Sequence, residues 1–225
     1  MIFSPALQQI KDVGTGSFVA AEVLARWCCE GQMLTPSELS SPPNWGLVDI
    51  EIARFIQDNL CHCSEEYQAL FVNVSEQTLK SDIIFHTWAQ IIRAITKNYP
   101  LRLVIEITEG VQDKSLAFRW SSLTAMGVNL ALDDYGDKNS SMARLLSYDW
   151  NYCKFDARKL SSFEDYSAIL HCRRKGIHLI AEQVETPPLE ENAKLLGLVW
   201  QQGFLHGKPT VIEKSLNRAK VLPLC

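Results

Sequence analysis

Short apolar runs that end in polar residues recur along the chain and predict β-strands. Seven such runs are present: FVAAEVLARW, ALFVNVS, RLVIEITE, VNLALDDYG, YCKFDA, HLIAEQVE and VWQQGFLHG. Nearly continuous apolar runs of this length are typical of strands that helices cover on one face and a packed interior covers on the other. We therefore expect a sheet whose strands are mostly parallel.

Segments with helical spacing lie between these runs. Two sets of apolar residues recur at intervals of about one helical turn: Val48, Ile52, Phe55 and Ile56, and then Ile84, Trp88, Ile91 and Ile95. Start and stop signals fit three helices: Thr35-Pro36-Ser37-Glu38 as a capping box, Asp113 with Gly127, and Thr186 with Gly197. Alternating strands and helices predict an α/β fold, either a (β/α) barrel of the TIM type or a doubly wound open sheet.

Composition narrows the class of protein. With 225 residues, 47% hydrophobic and 21% charged, the chain is expected to form one globular domain over residues 1–225. A net charge of −4 without a basic run argues against duplex nucleic acid as a partner. We expect a cytoplasmic protein without membrane insertion, because neither a signal peptide nor an apolar run of membrane-spanning length is present.

The seven cysteines do not form a recognisable pairing pattern, which favours free thiols. Cys61, His62 and Cys63 could suggest zinc, but a second Cys/His pair at ligand spacing is missing from the sequence. Incidental thiols near a helix end are the preferred interpretation.

Polar residues occupy the ends of the predicted strands, where the loops of a barrel share one mouth. They are Glu22, Asn73, Glu106, Asp133, Asp134, Lys154, Glu182 and Gln202. Several carboxylates in one mouth repel one another unless cations are present, and an all-oxygen ligand set favours Mg²⁺ or Mn²⁺. The adjacent pair Asp133-Asp134 could reach two ions, an arrangement suited to phosphoester hydrolysis.

Each of these residues also has a simpler interpretation. A single acidic residue at a strand end, such as Asp134, Glu109 or Glu185, is more often a helix cap or a solvated loop charge. Lys154 could be a surface lysine, and Asn73 could cap the helix that begins near Ser75. The metal site is favoured because the residues occur in combination.

The order of these motifs resembles the EAL family of cyclic di-GMP phosphodiesterases over nearly the whole chain. The family signature Glu-Ala-Leu-x-Arg-Trp occurs at residues 22–27 with valine in place of alanine. The later blocks follow in the family's order: Asn73-Val74-Ser75, Glu106-Ile107-Thr108-Glu109, Asp133-Asp134-Tyr135-Gly136, Lys154-Phe155-Asp156, Ala181-Glu182-Gln183-Val184-Glu185-Thr186 and Gln202-Gly203. The resemblance implies a modified TIM barrel with one antiparallel strand, and linearisation of cyclic di-GMP to pGpG.

The resemblance also implies roles for individual residues. One metal would be held by Glu22, Asn73, Glu106 and Asp133, and the second by Asp133, Asp134 and Glu182. Lys154 would help to activate the attacking water, with Gln202 supporting the water network and Asp156 near the second metal. Arg26 would bind a substrate phosphate next to Leu24, although a surface salt bridge is the alternative for Arg26. Glu109 and Thr108 would anchor the loop that follows Asp134, and a homodimer is implied.

That loop is the main departure from the family pattern. The family commonly shows Phe-Gly-Thr-Gly-x-Ser-Ser, whereas this chain has Tyr-Gly-Asp-Lys-Asn-Ser-Ser at residues 135–141. Asp137 and Lys138 replace a flexible glycine and add two charges. An active phosphodiesterase is favoured because every predicted metal ligand and Lys154 are present in the sequence. The altered loop keeps open a catalytically impaired relative that binds cyclic di-GMP or a regulatory protein partner, and a barrel phosphoesterase with another substrate is a third possibility.

Overall fold

A computed structural model of the chain describes residues 2–212, except for the side chains of residues 60–66. The strands are β1 (Ile2–Phe3), β2 (Ala6–Asp12), β3 (Ser17–Leu24), β4 (Trp27–Cys29), β5 (Gln32–Leu34), β6 (Ala69–Val74), β7 (Arg102–Ile107), β8 (Asn129–Tyr135), β9 (Tyr152–Asp156), β10 (His178–Glu182), β11 (Trp200–Gln201) and β12 (Thr210–Val211). The helices are α1 (Trp45–Glu66), α2 (Glu76–Lys80), α3 (Asp82–Asn98), α4 (Asp113–Thr124), α5 (Met142–Ser147), α6 (Phe163–Lys175) and α7 (Pro187–Leu195).

Eight strands close into a barrel. Strands β3, β6, β7, β8, β9, β10 and β11 pair in parallel in that order, and β2 joins the two ends through antiparallel pairs with β3 and β11. Strand β12 pairs with β2 outside the ring, and β1, β4 and β5 form a separate small sheet. The expectation of a modified TIM barrel with one antiparallel strand is confirmed, and ring closure between β11 and β2 excludes the open sheet.

The seven apolar runs each contain a barrel strand. The first run is interrupted after Leu24, so that Trp27 begins β4 in the small sheet. The apolar-run pattern did not identify β2, because its sequence ALQQIKD alternates between apolar and polar residues. Alternation is the pattern of a strand with one buried and one more open face.

The predicted helices lie at the expected positions, but helix type and N-cap residues differ in part from the prediction. The Thr35 capping box exists, with Thr35 N donating to Glu38 Oε2 at 2.7 Å, but it closes only a single 3-10 turn at Pro36–Glu38. Helix α4 begins at Asp113 itself, with Gln112 as its N-cap. Helix α7 follows Thr186 as expected. Ser75, rather than Asn73, caps α2.

The core has two layers. Inside the barrel, apolar side chains form a plug: Ile10, Ala20, Ala69, Phe71, Val104, Ala131, Tyr152 and Ile180. A larger layer fills the space between the strands and the helices and contains the fully buried Trp88 of α3. The plug closes the lower part of the barrel, so that polar groups can converge only at the ends of the strands.

Two further sequence expectations concern thiols and membranes. Among the described side chains, Cys28, Cys29, Cys153 and Cys172 are free thiols, whereas the side chains of Cys61, His62 and Cys63 lie outside the described part of the structure. The helices within residues 2–212 do not include one with the length and apolar character needed to span a bilayer.

Phe71 offers a test of the interior plug. Its ring is fully buried and contacts Tyr152 edge to face, with the ring centroids 5.1 Å apart. Phe71→Ala should lower the free energy of unfolding by about 3–5 kcal/mol, because truncation leaves a cavity in the plug. Urea denaturation measures this loss. Phe163→Ala, at a phenylalanine that is 84% exposed, is the matched control and should change little; equal losses in both variants would contradict the two-layer description.

Candidate functional site

A simple rule relates the interior plug to the polar groups above it. Strand residues two positions apart share one face, so the residue that follows each plug residue by two positions also points into the barrel. Six strands follow this rule, with pairs Ala20 and Glu22, Phe71 and Asn73, Val104 and Glu106, Ala131 and Asp133, Tyr152 and Lys154, and Ile180 and Glu182. The strand ends therefore carry a ring of polar side chains above the apolar plug.

The antiparallel strand β2 follows the same rule in reverse. Because β2 runs in the opposite direction, the residue at the mouth precedes its plug residue Ile10 by two positions and is Gln8. Sequence reasoning missed Gln8, although the reversed order would have found it. These residues open into a cavity of about 280 Å³, lined by groups that include Gln8, Leu24, Arg26, Asp134 and Gln202.

Lys154 lies at the centre of the carboxylates. Its side chain is 1% exposed. Its Nζ lies 2.6 Å from Glu106 Oε1, 2.6 Å from Glu182 Oε1, 3.2 Å from Asp133 Oδ1 and 3.3 Å from Glu22 Oε2. One buried cation thus contacts four acidic side chains from four different strands. Such an arrangement is stable only because each partner compensates the other's desolvation.

Glu22 is held by two amides in addition to Lys154. Asn73 Nδ2 donates to Glu22 Oε1 at 2.7 Å, and Gln202 Nε2 donates to Glu22 Oε2 at 2.8 Å. Gln202 Nε2 also donates to Gln8 Oε1 at 3.2 Å. These contacts fix both oxygens of Glu22 at the centre of the mouth.

Burial and these contacts shift the pKa values of the clustered side chains in different directions. Burial raises the pKa of Asp133 to about 7, and it raises the pKa values of Glu106 and Glu182 well above their usual range. Burial acts in the same direction on Glu22, but Lys154, Gln202 and Asn73 more than offset it and lower its pKa. Burial opposes the charge of Lys154, yet the surrounding carboxylates raise its pKa well above the usual value. Lys154 is therefore a cation at neutral pH.

The cluster has the properties of a divalent-cation site. Ligand atoms of Glu109, Asp133 and Asp134 lie within 4.8 Å of one another. Glu106 Oε2 and Glu182 Oε2 are buried and receive no hydrogen bond from the described residues. Orphaned carboxylate oxygens in an all-oxygen set suit Mg²⁺ or Mn²⁺, since a cation would satisfy them and offset their repulsion.

Asp134 has a φ of 45°, a conformation that Asp tolerates better than most residues.

The loop that departs from the family pattern is tied down on both sides by ion pairs. Lys138 Nζ donates to Glu109 Oε1, and Lys159 Nζ donates to Asp137 Oδ1 at 2.7 Å. Asn139 also donates to the Glu109 carbonyl, from its backbone N at 3.3 Å and from its Nδ2 at 3.0 Å. The two added charges therefore each find a partner in a neighbouring loop. Sequence reasoning did not anticipate Lys159 in this role.

Not all of the predicted site residues join the cluster. Asp156 is bound by Arg158, whose Nε and Nη2 donate to its two oxygens at 2.9 and 2.7 Å, and it does not line the acidic cavity. Thr108 Oγ1 donates to the Val74 carbonyl at 3.4 Å beside the loop. Arg26 donates to the carbonyl of Ala25 and lines the cavity at its rim. Arg158 was not singled out from the sequence.

Lys154→Met should destabilise the metal-free protein by about 3–5 kcal/mol at pH 8, because it leaves buried carboxylates without their counter-charge. Carboxyls with raised pKa contribute stability that is present below about pH 4 and is lost as the pH rises through the folded pKa, which for Asp133 is about 7. The loss should therefore be smaller at pH 5 than at pH 8. Urea denaturation with a chelator measures it, and Lys97→Met, on the exposed end of α3, is the control. A loss that does not depend on pH would contradict the arrangement.

Comparisons with solved structures agree with this fold. The Bacillus subtilis YkuI protein, whose structure contains an EAL domain with cyclic di-GMP and calcium, is 22% identical with a TM-score of 0.76 over 93% of this chain and 55% of that chain. Klebsiella pneumoniae BlrP1, solved with manganese and cyclic di-GMP, is 22% identical with a TM-score of 0.75 over 94% of this chain and 57% of that chain. At these identities the likeness shows the fold.

Curated proteins give a consistent match. The probable cyclic di-GMP phosphodiesterase PdeB of Escherichia coli is 26% identical over 95% of this chain and 44% of its own length. The cyclic di-GMP phosphodiesterase RocR of Pseudomonas aeruginosa is 26% identical over 86% of this chain and 54% of its own length. The chain thus spans about half the length of these relatives. Residues 2–209 match the family model described as EAL domain, and the chain therefore belongs to the EAL domain family.

Proposed function

We propose that the protein is a metal-dependent phosphodiesterase that hydrolyses cyclic di-GMP to linear pGpG. The observation that carries this proposal is the ring of acidic side chains around Lys154, in which Glu106 Oε2 and Glu182 Oε2 receive no hydrogen bond from the described residues. The names of the relatives PdeB and RocR support the choice of substrate. Membership of the EAL domain family supports the same reaction.

Two divalent cations, Mg²⁺ or Mn²⁺, fit the donor set. Glu22, Asn73, Glu106 and Asp133 would hold one cation, and Asp133, Asp134 and Glu182 the second. Such cations lower the pKa of bound water and offset charge that develops on phosphate oxygens. Glu109 is a further candidate, because its carboxylate lies within reach of Asp133 and Asp134.

Lys154 would orient the attacking water as a hydrogen-bond donor. Its raised pKa makes it a poor proton acceptor, so it would position and polarise the water rather than remove its proton. Gln202 keeps Glu22 ionised and aligned through the 2.8 Å hydrogen bond. Arg26 lines the cavity together with Leu24 and would offer its planar guanidinium to a substrate phosphate. Asp156 would act near the second cation only if it gave up its ion pair with Arg158.

A catalytically impaired, nucleotide-binding relative remains the second candidate. It is favoured by the loop at residues 135–141, where Lys138 occupies one oxygen of Glu109, and by Arg158 on Asp156. Lys138 thereby neutralises a carboxylate that is a further candidate ligand, and Arg158 occupies both oxygens of Asp156. The two candidates differ in turnover rather than in nucleotide binding.

Incubation with cyclic di-GMP and Mn²⁺ or Mg²⁺ should yield pGpG, and a chelator should abolish the yield. Glu22→Ala should lower kcat/KM by at least about 100-fold, because metal stabilisation of the transition state amounts to several kcal/mol. Glu191→Ala on the exposed face of α7 is the control. Nucleotide binding without any pGpG would favour the second candidate, and turnover of a different phosphodiester alone would favour another phosphoesterase.

Lys154→Ala should separate chemistry from binding. In the presence of saturating Mn²⁺ we expect kcat to fall about 100- to 10,000-fold while KM changes little, because Lys154 acts on the water rather than on the nucleotide. Steady-state kinetics at several concentrations of cyclic di-GMP measure both parameters. A rise in KM at constant kcat would contradict the assignment.

A further inference from the structure

The outer edge of the acidic mouth holds a second group of carboxylates. Ligand atoms of Glu109, Asp133 and Asp134 lie within 4.8 Å of one another. Asp133 also faces Lys154, so it links this outer group to the inner one. Glu182, whose Oε2 receives no hydrogen bond from the described residues, belongs to the proposed ligand set of the second cation. Carboxylates at such distances repel one another unless a positive charge lies nearby.

Lys138 brings a positive charge to this outer group. Its Nζ donates to Glu109 Oε1, and a lysine is charged at neutral pH. The side chain of Lys138 is 67% exposed, and that of Glu109 is 23% exposed. The outer carboxylates are thereby partly neutralised by a side chain that reaches them from solvent.

The backbone of Lys138 has a conformation that favours glycine. Its φ is 43°, and the family pattern commonly has glycine at this position of the loop. A residue with a side chain pays a steric cost at such a φ that glycine does not. Strained residues of this kind persist where other contacts compensate them, and the ion pair with Glu109 is the contact that lysine adds here.

The two lysines of the mouth differ in how easily they can leave their carboxylates. Lys154 is 1% exposed and contacts four acidic side chains, so its departure would strand buried charges. Lys138 pairs with Glu109 near the surface, where an ion pair shifts an equilibrium by at most about fivefold. Its flexible stem can return the ammonium group to water. A divalent cation could therefore displace Lys138 but not Lys154.

Other contacts would hold the loop after such a displacement. Lys159 Nζ donates to both oxygens of Asp137, at 2.7 and 2.8 Å. Asn139 donates to the Glu109 carbonyl from its backbone N at 3.3 Å and from its Nδ2 at 3.0 Å. These contacts do not use the carboxylate of Glu109. Release of Lys138 would thus free a metal ligand without dismantling the loop.

We propose that Lys138 is a displaceable internal counter-ion, which competes with the second divalent cation for the carboxylate of Glu109. The inference rests on the two-cation site of the proposed function and adds a residue that sets the affinity of the outer position. Without the cation, Lys138 neutralises the outer carboxylates. With the cation bound, the ammonium group moves into solvent, so the supply of metal determines whether the outer position is filled.

Titration of the full chain with Mn²⁺ in the absence of nucleotide tests this inference. The electron paramagnetic resonance signal of free Mn²⁺ reports how much of the metal is bound. Lys138→Gln removes the charge and keeps a side chain at the same strained backbone position. Lys159→Gln is the matched control, because it removes a lysine that pairs with the same loop through Asp137 rather than through Glu109. Lys138→Arg keeps the positive charge.

Wild-type protein should bind Mn²⁺ in two classes, and Lys138→Gln should tighten the weaker class about 3- to 10-fold. This range combines the loss of an exposed ion pair with the loss of repulsion between an ammonium group and a divalent cation in a wet site. The tighter class should change by less than about twofold, because Lys138 is separated from it by solvent that screens its charge. Lys159→Gln and Lys138→Arg should both stay close to the wild-type isotherm.

Three results would overturn the inference. The first is a weaker class that is unchanged in Lys138→Gln. The second is equal tightening in Lys159→Gln, because freedom of the loop rather than a competing charge would then limit binding. The third is equal tightening of both classes in Lys138→Gln, which would show a general effect of net charge.

Failure of the proposed function is distinguishable from failure of this inference. The titration contains no cyclic di-GMP, so its outcome does not depend on turnover. Absence of pGpG together with a tightened weaker class in Lys138→Gln would refute the phosphodiesterase and leave the competition for Glu109 standing. Formation of pGpG together with identical isotherms of wild type and Lys138→Gln would refute only the role of Lys138.

Discussion

The arrangement of the site depends on a single buried positive charge. Lys154 is enclosed by carboxylates from four strands, which could not converge in a dry mouth without a counter-charge. The apolar plug beneath it excludes water from below, which strengthens every electrostatic interaction above. Burial is the main reason why the pKa values of Glu106, Asp133 and Glu182 are raised, and the single positive charge of Lys154 does not offset it. The mouth of the barrel therefore favours the binding of additional positive charge.

Much of this site was predictable because its polar residues follow the apolar residues of the strands at a fixed spacing in the sequence. An interior apolar residue is followed two positions later by the polar residue, as in Ala131 and Asp133 or Tyr152 and Lys154, and the apolar runs mark the strands. The position of β2 was harder to predict, since its alternating sequence gives a weak signal and its direction is set by pairing with β3 and β11. Gln8 was missed for that reason.

Long-range pairings explain the other differences. The partner of Asp137 is Lys159, 22 positions away in the sequence. Asp49 lies on the apolar face of α1, although acidic residues are normally exposed. Its side chain is buried because it accepts hydrogen bonds from the turn at Ser75, 26 positions further along the chain. Side-chain contacts of this kind depend on tertiary distances, which local patterns do not encode.

The closure of the barrel has a consequence for the site. Strand β11 has only two residues, Trp200 and Gln201, and pairs through them with β10 on one side and β2 on the other. The next residue, Gln202, reaches across this narrow seam to Gln8 and also donates to Glu22. If the seam were to part, Glu22 would lose a donor that keeps it ionised. The integrity of the ring and the acidity of a carboxylate at its mouth are thereby thermodynamically linked.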